Sequence, residues 1–379
     1  MHRNVVIVDY ARSPFHAATK GELVKARPDE LAAQVIRGLL GRSAVDPADI
    51  EDLIVGCAFP EAEQGLNMAR LVGFLADLPL TVGGATVNRF CGSSMQAIHI
   101  AAGAIQMEAG EAFLCAGVES MSRVPIPGFN PMPHPTLATD YPAAYISMGE
   151  TAENVAQKYQ IPRARQEELA VDSHRKAAAA QQAGKFDGEI VPFKTDRIAV
   201  DADGCIRPDT NAQALADLKP AFSEEGSVTA GTSSPLTDGA AAVLVTSEDY
   251  AKANGLKPLA RLKSVAIGGC APEIMGIGPV VATTKALERA GLKIGDIDIV
   301  ELNEAFAAQV IACVDELGLD PTRMNLDGGA IALGHPLGAT GARITGKAGQ
   351  LLKREGKEFA LATQCIGGGQ GIATILEAA

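Results

Sequence analysis

The segment ADIEDLIVGCAF (residues 48–59) and the later segment GDIDIVELNEAF (residues 295–306) decide the fold class. Each follows a helical stretch and has the pattern of a short loop, a buried strand and a turn. A second pair repeats in the same order, because a helix and then a strand follow both NRFCGSS (residues 88–94) and GGAIALGHPLGATG (residues 328–341). Alternating strands and helices predict an α/β fold with mixed or parallel sheets, in two halves of one topology. The competing interpretation is that any two α/β segments look alike.

The middle of the chain differs in character from the two halves. It contains the proline-rich run VPIPG (residues 124–128), a charged helical stretch and an irregular strand region. Such a loop-rich insertion between rigid halves is typical of a lid or a ligand clamp. The predicted units are residues 1–117 plus 236–262 for the first half, 118–235 for the loop domain and 263–379 for the second half.

Composition excludes several classes of function. The 379 residues are 47% hydrophobic and carry a formal net charge of -12, which argues against nucleic acid or an anionic membrane as a partner. The seven cysteines show no CxxC pair or Cys/His cluster, so we expect no zinc site and reduced thiols. A strand-like run begins within a few residues of the N-terminus, and no apolar stretch reaches membrane-spanning length. These features predict a cytoplasmic protein; an organelle matrix is the alternative for a processed form.

Three reactive side chains lie beside glycines, where a backbone can turn sharply and bring its amides close to a ligand. Cys91 and His335 occupy equivalent turns before helices in the two halves, and Cys365 ends a strand before a triple glycine. The dipole of a following helix favours a thiolate, so we expect Cys91 to be nucleophilic. An imidazole with a pKa near neutrality can deprotonate that thiol or donate to a carbonyl oxygen. Each residue alone could be structural, but together they predict a nucleophile, a base and a second acid or base.

A fourth candidate, Asn303, ends the other buried strand. Its carboxamide suits polarising a carbonyl or ordering a water, and the alternative is an asparagine that caps the following helix. The glycines around His335 lack a strand that leads cleanly into them and a ribose-binding acid about twenty residues further on. The sequence therefore argues against a bound NAD.

The four segments together resemble the motifs of the thiolase family. NRFCGS (residues 88–93) is similar to its nucleophile segment, NEAFA (303–307) to its NEAF motif, GGAIALGHPLGATG to its histidine motif and CIGGGQG (365–371) to its CxGGGxG motif. The resemblance covers essentially the whole chain. It implies a five-layered α/β/α/β/α core of two similar halves, with an inserted loop domain over the active site.

The resemblance also implies a two-step acyl transfer with coenzyme A as co-substrate, and no permanently bound cofactor or metal. Cys91, activated by His335, would attack the 3-keto carbon of a 3-ketoacyl-CoA, and Cys365 would protonate the leaving acetyl-CoA carbanion. A second CoA would then take the acyl group, with Cys365 as the base for its thiol. Asn303 would hold a water that forms one oxyanion hole with His335, and the backbone amides of Cys91 and Gly367 would form the other.

Positions similar to the CoA contacts and pocket walls of the family lie mainly in the loop domain. They are Arg207, Phe222, Ala230, Ser234, Met148 and Phe306. Arg207 suits phosphate recognition because a guanidinium keeps its charge and offers a fork of donors. The alternative for Arg207 is a solvated surface arginine.

One departure from the family pattern bears on the subclass. Short-chain biosynthetic members carry His-Met-Gly where this chain has Ser147-Met148-Gly149, and RPDT (207–210) and AGTSS (230–234) resemble the degradative branch. The resemblance therefore favours a broad-chain 3-ketoacyl-CoA thiolase of fatty-acid β-oxidation over a biosynthetic acetoacetyl-CoA thiolase that condenses two acetyl-CoA. A ketoacyl synthase would carry a second histidine in place of Cys365. A non-catalytic thiolase-like CoA- or lipid-binding protein would have lost one reactive residue.

The resemblance implies partners as well. Thiolases form dimers through the sheet and helix region near the nucleophile, and some dimers pair into tetramers. Degradative members dock instead onto the hydratase/dehydrogenase subunit of a β-oxidation complex. The proline-rich segment 124–135 could serve either contact or neither.

Overall fold

A computed structural model describes residues 3–379 of the chain. The strands are β1 (Val5–Arg12), β2 (His16–Ala17), β3 (Ile50–Gly56), β4 (Gly83–Val87), β5 (Ala112–Ser120), β6 (Phe193–Lys194), β7 (Ala199–Val200), β8 (Thr237–Ser247), β9 (Ala260–Gly269), β10 (Ile299–Leu302), β11 (Phe359–Ile366) and β12 (Gln370–Glu377). The helices are α1 (Pro28–Arg42), α2 (Met68–Leu75), α3 (Ser93–Gln106), α4 (Pro135–Asp140), α5 (Met148–Lys158), α6 (Arg163–Gln182), α7 (Ala212–Ala216), α8 (Glu248–Ala253), α9 (Gly278–Ala290), α10 (Ala307–Leu317), α11 (Ala330–Leu333) and α12 (Leu337–Glu355).

The two halves repeat one strand order and one set of strand directions. In the first half the order is β4-β3-β5-β8-β1, with β3 parallel to β4 and β5, and β8 antiparallel to both β5 and β1. In the second half the order is β10-β11-β12-β9, with β10 parallel to β11, and β12 antiparallel to both β11 and β9. A single parallel bridge between Val300 and Met324 occupies the place that β4 fills in the first half. This shared topology is what an internal duplication predicts.

Five layers follow from how the helices cover the sheets. Helices α1 and α2 pack on one face of the first-half strands, and α9 and α10 pack on the outer face of the second-half strands. Helices α3 and α12 lie between the two halves in one apolar cluster with residues from both sets of strands. The halves also meet edge to edge, because β1 pairs with β9 at Val6–Arg261 and Ile7–Ala260. Strands covered on both faces are mainly apolar, which explains the apolar run of β5 from Ala112 to Val118.

The intervening segment between β5 and β8 carries α4 to α7 and the small β6–β7 ribbon. This agrees with the expected loop-rich insertion. Strand β5 continues to Ser120, three residues beyond the expected boundary at 117. The extension keeps β5 paired with β8 as far as Asp238.

Buried ion pairs anchor this insertion to both halves. Arg12 of β1 pairs with Glu189 at 2.7 Å and with Asp203 at 2.6 Å. Lys347 of α12 pairs with the same Glu189 and with Asp327, each at 2.9 Å. All five side chains are at most 3% exposed, so each charge depends on its partners for compensation.

Candidate active site

The segment around Cys91 forms a tight turn between β4 and α3. The side chain of Asn88 accepts the N–H of Phe90 at 2.8 Å and donates to the carbonyl of Ala58 at 3.0 Å. Ser93 accepts the N–H of Arg89 at 2.9 Å and donates to the carbonyl of Phe90 at 2.6 Å. These bonds hold Phe90 at a φ of 42°, a conformation that costs energy for a residue with a side chain. Cys91 is thereby fixed just ahead of the first turn of α3.

His335 occupies the matching turn before α12 in the second half. Its backbone N–H donates to Thr237 Oγ1 at 3.0 Å, and its ring Nδ1 lies 2.6 Å from Thr340 Oγ1. The Thr340 hydroxyl donates its own proton to the carbonyl of Pro336 at 3.0 Å. Thr340 Oγ1 therefore accepts a hydrogen bond from Nδ1–H, so the Nε2 atom of His335 carries no proton and has a lone pair.

The turns that carry Cys91 and His335 meet because α3 and α12 approach each other closely at their first turns. Ser94 Oγ accepts the N–H of Ala342 at 2.8 Å. A Cβ on Gly341 would lie 2.4 Å from the backbone nitrogen of Met95, so only glycine allows this approach. Sequence reasoning placed the two residues at equivalent turns, and the packing of the two helices brings those turns together.

Asn303 lies directly after β10, beside the histidine. Its Nδ2 is 3.4 Å from Nε2 of His335, and its Oδ1 is buried with no hydrogen-bond partner among residues 3–379. The alternative that Asn303 caps the next helix is wrong, because α10 begins at Ala307 and Phe306 occupies its N-cap position. The neighbouring Glu304 is occupied by other contacts, as it accepts bonds from Ser173, Asn325 and the backbone of Ile331.

Cys365 reaches the same place from β11. Gln364 donates its side-chain amide to the carbonyl of Cys91, so the strand that carries one thiol contacts the backbone of the other. The side chain of Ile366 lies under Gly92, where a Cβ would come within 2.5 Å of it. Burial raises the pKa of the Cys365 thiol, and the Cys91 thiol adds to the rise. The Gln364 contact brings the two cysteine-bearing segments side by side.

The electrostatics of the site differ from the expectation of a preformed thiolate. Burial raises the pKa of the Cys91 thiol to about 12, and hydrogen bonds from the amides of Gly367 and Cys91 oppose this only in part. Burial and the nearby charge of Arg343 lower the pKa of His335 to about 3, so the expected near-neutral histidine is wrong as well. The resting site holds two thiols and a neutral imidazole.

A buried carboxylate that the sequence reasoning missed connects the loop after β3 to the start of α12. Glu119 of β5 accepts the backbone N–H groups of Ala58 at 2.8 Å, Phe59 at 3.2 Å and Gly338 at 2.9 Å. The Gly338 contact lies in the first turn of α12, three residues after His335. Burial raises the pKa of Glu119, yet its contacts are all with donors, which is the pattern that favours an ionised carboxylate.

The expected CoA-binding residues fall into two groups. Met148 and Phe306 pack in one apolar cluster with Cys365, and the ring of Phe222 meets Phe306 edge-on at 5.8 Å. Ser234 joins this group, because its N–H donates to the carbonyl of Ala305 at 2.9 Å.

The second group, Arg207 and Ala230, lies against α6. The backbone N–H of Arg207 donates to Nδ1 of His174 at 3.1 Å, and its side chain is exposed. Ala230 is exposed in a single helical turn that contacts the same helix.

The two best-formed cavities are not lined by Cys91, His335 or Cys365. One of about 320 Å³ is lined by residues around Lys25 and Phe193, and one of about 270 Å³ lies between α6 and α10. The convergence of reactive groups, rather than the size of a cavity, therefore identifies the candidate site. Among residues 3–379, no cluster of three or more His, Cys, Asp or Glu could hold a metal ion, and no helix is long and apolar enough to cross a membrane.

A partly exposed thiol on the turn before α3, with an imidazole on the adjoining turn before α12, suits a cysteine-dependent acyl-transfer enzyme. The family models for the thiolase N-terminal and C-terminal domains match residues 5–249 and 256–378. The chain belongs to the thiolase family. It is 47% identical to a 3-ketoacyl-CoA thiolase of Bacillus subtilis (strain 168) and 48% identical to one of Aeromonas hydrophila, with 99% of each chain covered.

Solved structures agree with this assignment. The Bacillus anthracis acetyl-CoA acetyltransferase has a TM-score of 0.91 at 40% identity, covering 100% of this chain and 99% of that chain. Human mitochondrial 3-ketoacyl-CoA thiolase in complex with CoA has a TM-score of 0.92 at 37% identity, covering 100% of this chain and 98% of that chain.

Proposed function

We propose that this protein is a 3-ketoacyl-CoA thiolase, which cleaves a 3-ketoacyl-CoA with CoA to give acetyl-CoA and a shortened acyl-CoA. The observation that carries the proposal is the convergence of Cys91, Cys365 and the His335–Asn303 pair at one place. Relatives of nearly equal length bear this name, and one structural relative was solved in complex with CoA. Coenzyme A is thus a co-substrate.

The first half-reaction uses the neutral pair of Cys91 and His335. Nε2 of His335 takes the thiol proton as the sulfur attacks the 3-keto carbon, so the thiolate need not exist in advance. The bond between C2 and C3 of the substrate then breaks, and the C2 carbanion of acetyl-CoA takes the proton of Cys365. Acetyl-CoA leaves and the acyl group remains on Cys91.

The second half-reaction reverses the proton transfers. The Cys365 thiolate takes the proton of an incoming CoA thiol, and the CoA sulfur attacks the thioester carbon. The Cys91 sulfur leaves and recovers its proton from His335. Both cysteines and the histidine return to their resting states, which the high thiol pKa values and the low imidazole pKa favour.

Two groups of donors suit the oxyanions of these steps. The amide of Asn303 and the ring of His335 face one oxygen, with a water ordered by Asn303 as donor. The backbone amides of Cys91 and Gly367 serve the other oxygen. Support for the first group comes from Oδ1 of Asn303, which has no partner among residues 3–379 and can accept a hydrogen bond from a water. Support for the second group comes from the hydrogen bonds by which both amides lower the pKa of the Cys91 thiol.

The CoA molecule is proposed to enter between the loop domain and Cys365. Met148 and Phe306 would form walls for the pantetheine and acyl portion, and Phe222 and Ser234 would flank it. Arg207 and Ala230, which lie against α6, would contact the nucleotide portion, with the exposed guanidinium on a phosphate. The loop domain is assigned to residues 118–235, and the halves to residues 1–117 plus 236–262 and 263–379.

The competing subclass is a biosynthetic acetoacetyl-CoA thiolase, and the similarity to an acetyl-CoA acetyltransferase favours it. Against it, Ser147 stands where short-chain members carry a histidine. The Ser147 hydroxyl caps α5 in a reciprocal arrangement with Glu150, so it is committed to the helix end. We therefore place the reaction in fatty-acid β-oxidation with a broad range of chain lengths.

A homodimer through β4, α2 and α3 completes the proposal. Strand β4 is an edge strand, and apolar side chains stand exposed around it, with Leu66 at 90%, Leu80 at 78% and Phe74 at 47%. An exposed apolar patch beside an unpaired strand edge is typical of a subunit interface.

Pairing of dimers or docking on a hydratase/dehydrogenase subunit would use the segment 124–135, where Ile126, Phe129 and Met132 are exposed. The cytoplasm, which keeps thiols reduced, suits the seven free cysteines.

The test is the rate of thiolysis against 3-ketoacyl-CoA substrates of increasing chain length, with Cys91→Ala as the blank. High kcat/KM values at medium and long chains support the degradative enzyme, and activity confined to acetoacetyl-CoA supports the biosynthetic one. Covalent labelling of Cys91 by acetyl-CoA should accompany either activity. An absence of both labelling and turnover would identify a non-catalytic CoA-binding protein.

A further inference from the structure

A second contact joins the two elements that carry Asn303 and His335. Glu301 lies on β10 two residues before Asn303, and Arg343 lies on α12 two turns after His335. Arg343 Nη1 donates to Glu301 Oε2 at 3.1 Å, and neither side chain is more than 2% exposed. The ion pair therefore spans the same interface as the 3.4 Å contact between Asn303 and His335.

The hydrogen bond between Arg343 and Glu301 is the main polar contact of both side chains. The contact with Glu301 is the one hydrogen bond that the Arg343 guanidinium makes within residues 3–379, and Glu301 Oε1 is unpartnered there as well. A buried pair held by one contact is expensive to desolvate, and apolar residues of similar volume would stabilise the fold at least as well. Stability alone therefore does not explain why charged groups occupy these positions.

Electrostatics gives the charged groups a second role. After burial, the charge of Arg343 is the remaining cause of the low pKa of His335. The other ionisable groups on elements packed around the imidazole are Glu119 on β5, Asp238 on β8, Glu304 after β10, and the thiols of Cys91 and Cys365. The three carboxylates take hydrogen bonds from other partners.

We propose that Glu301 and Arg343 are positioning residues of this site: the pair aligns β10 with α12 so that Asn303 meets Nε2 of His335, and the Arg343 charge adds to the burial that disfavours an imidazolium. The inference rests on the proposed function for its kinetic consequences only. The alignment and the charge state are properties of the folded protein that can be measured without turnover.

The primary experiment is a nitrogen-15 NMR titration of imidazole-labelled protein, with the His335 signal identified by its loss in His335→Asn. Arg343→Met removes the positive charge, so we expect the acid midpoint of His335 to rise by about half a pH unit or more. Burial raises the pKa of Glu301 to about 7, so its carboxyl is already neutral at the pH where His335 titrates, and Glu301→Gln should leave the midpoint unchanged. A shift in Arg343→Met with none in Glu301→Gln distinguishes a charge effect from a loss of structure.

Two further variants serve as controls. Arg343→Lys retains the charge while losing the planar fork of donors, so the midpoint should stay near the wild-type value while kcat falls about ten-fold with KM for CoA unchanged. Lys347→Met removes another buried cation one turn along α12, whose partners are Glu189 and Asp327 instead. It should lower stability and leave the His335 midpoint in place.

The proposal is overturned if Arg343→Met and Arg343→Lys give the same His335 midpoint, or if Lys347→Met shifts that midpoint as much as Arg343→Met. Equal kcat losses in Arg343→Lys and Lys347→Met would also overturn it, since the pair would then be structural only. An inactive wild-type protein would refute the proposed function and leave the NMR result to decide the inference.

Discussion

Thr340 is the side chain that decides which nitrogen of His335 carries the proton, and replacing it with valine tests the proposed base directly. Thr340→Val keeps the shape of the side chain and removes the acceptor that lies 2.6 Å from Nδ1. Without that acceptor, no hydrogen bond favours the tautomer with the proton on Nδ1. Once it moves to Nε2, the imidazole can no longer take the proton of Cys91.

The size of the effect follows from the lost hydrogen bond. Leaving a buried donor unpaired costs about 1–3 kcal/mol, and that penalty falls on the tautomer that is competent as a base. At 1.4 kcal/mol for each factor of ten, the rate of Cys91 acylation should fall roughly 5- to 150-fold. Affinity for CoA should not change, because the acceptor lies on the far side of the imidazole from the substrate.

The chain provides a matched control on the same helix. Thr345 is also buried in α12 and also donates its hydroxyl to the carbonyl four residues earlier, Gly341, at 2.7 Å. Thr345→Val therefore removes the same helical contact that Thr340→Val removes, without touching the histidine. The difference between the two variants measures the contribution of the imidazole bond alone.

The assay is single-turnover acylation of Cys91 by acetoacetyl-CoA, with nitrogen-15 NMR of His335 to report the tautomer. Thr340→Val should show slow acylation and protonation of Nε2, and Thr345→Val should resemble the wild type in both. If the two variants acylate within about a factor of two of each other, the assignment of the base to Nε2 is refuted.

Three other outcomes test separate parts of the structure. Cys365→Ala should still form the acyl-enzyme on Cys91 from a reactive thioester, while the rate of steady-state thiolysis falls by about 10²-fold or more. A normal rate of turnover would show that a residue other than Cys365 carries out the second proton transfer. Arg207→Ala should weaken CoA affinity by about 1–3 kcal/mol in a binding titration, as for a lost charge-assisted hydrogen bond, and an unchanged affinity would remove it from the nucleotide site. Lys347→Met should lower the free energy of unfolding by about 1.5–3 kcal/mol in urea, because two buried carboxylates each lose one charge-assisted hydrogen bond while Glu189 keeps Arg12 and Asp327 keeps Arg354. The exposed Lys353→Met on the same helix should be neutral, and equal effects would contradict the buried network.

The candidate catalytic residues were accessible to sequence reasoning because their chemistry is local. Cys91 and His335 stand among glycines before helices, and Cys365 stands before three glycines, so residue type and neighbours mark them. The pairing of their turns was also implied, since duplicated units place equivalent ends at equivalent positions. Asn303 was identified by its place at a strand end, with helix capping as the alternative that the start of α10 excludes.

Other contributors to the site carry no such local signal. Glu119 and Arg343 contact groups that are distant in sequence, Gly338 and Glu301, and Thr340 is unremarkable among its own neighbours. The spacing of five residues between His335 and Thr340 in the histidine motif is the one clue that sequence offered. The charge states that the sequence predicted for Cys91 and His335 were wrong for the same reason. The sequence indicates a helix dipole, but it does not indicate how deeply a thiol or an imidazole is buried.

The sequence by itself determined the α/β class and the duplicated order of elements and pointed to the candidate reactive groups, since these depend on periodicity and on residues within a few positions of each other. Only the tertiary structure decided the protonation of the resting site, the tautomer of His335 and the contacts that hold Asn303 against it. Those properties depend on the distance between β10 and α12 and on the exclusion of water between two sheets. Both arise from packing that joins residues far apart in the chain.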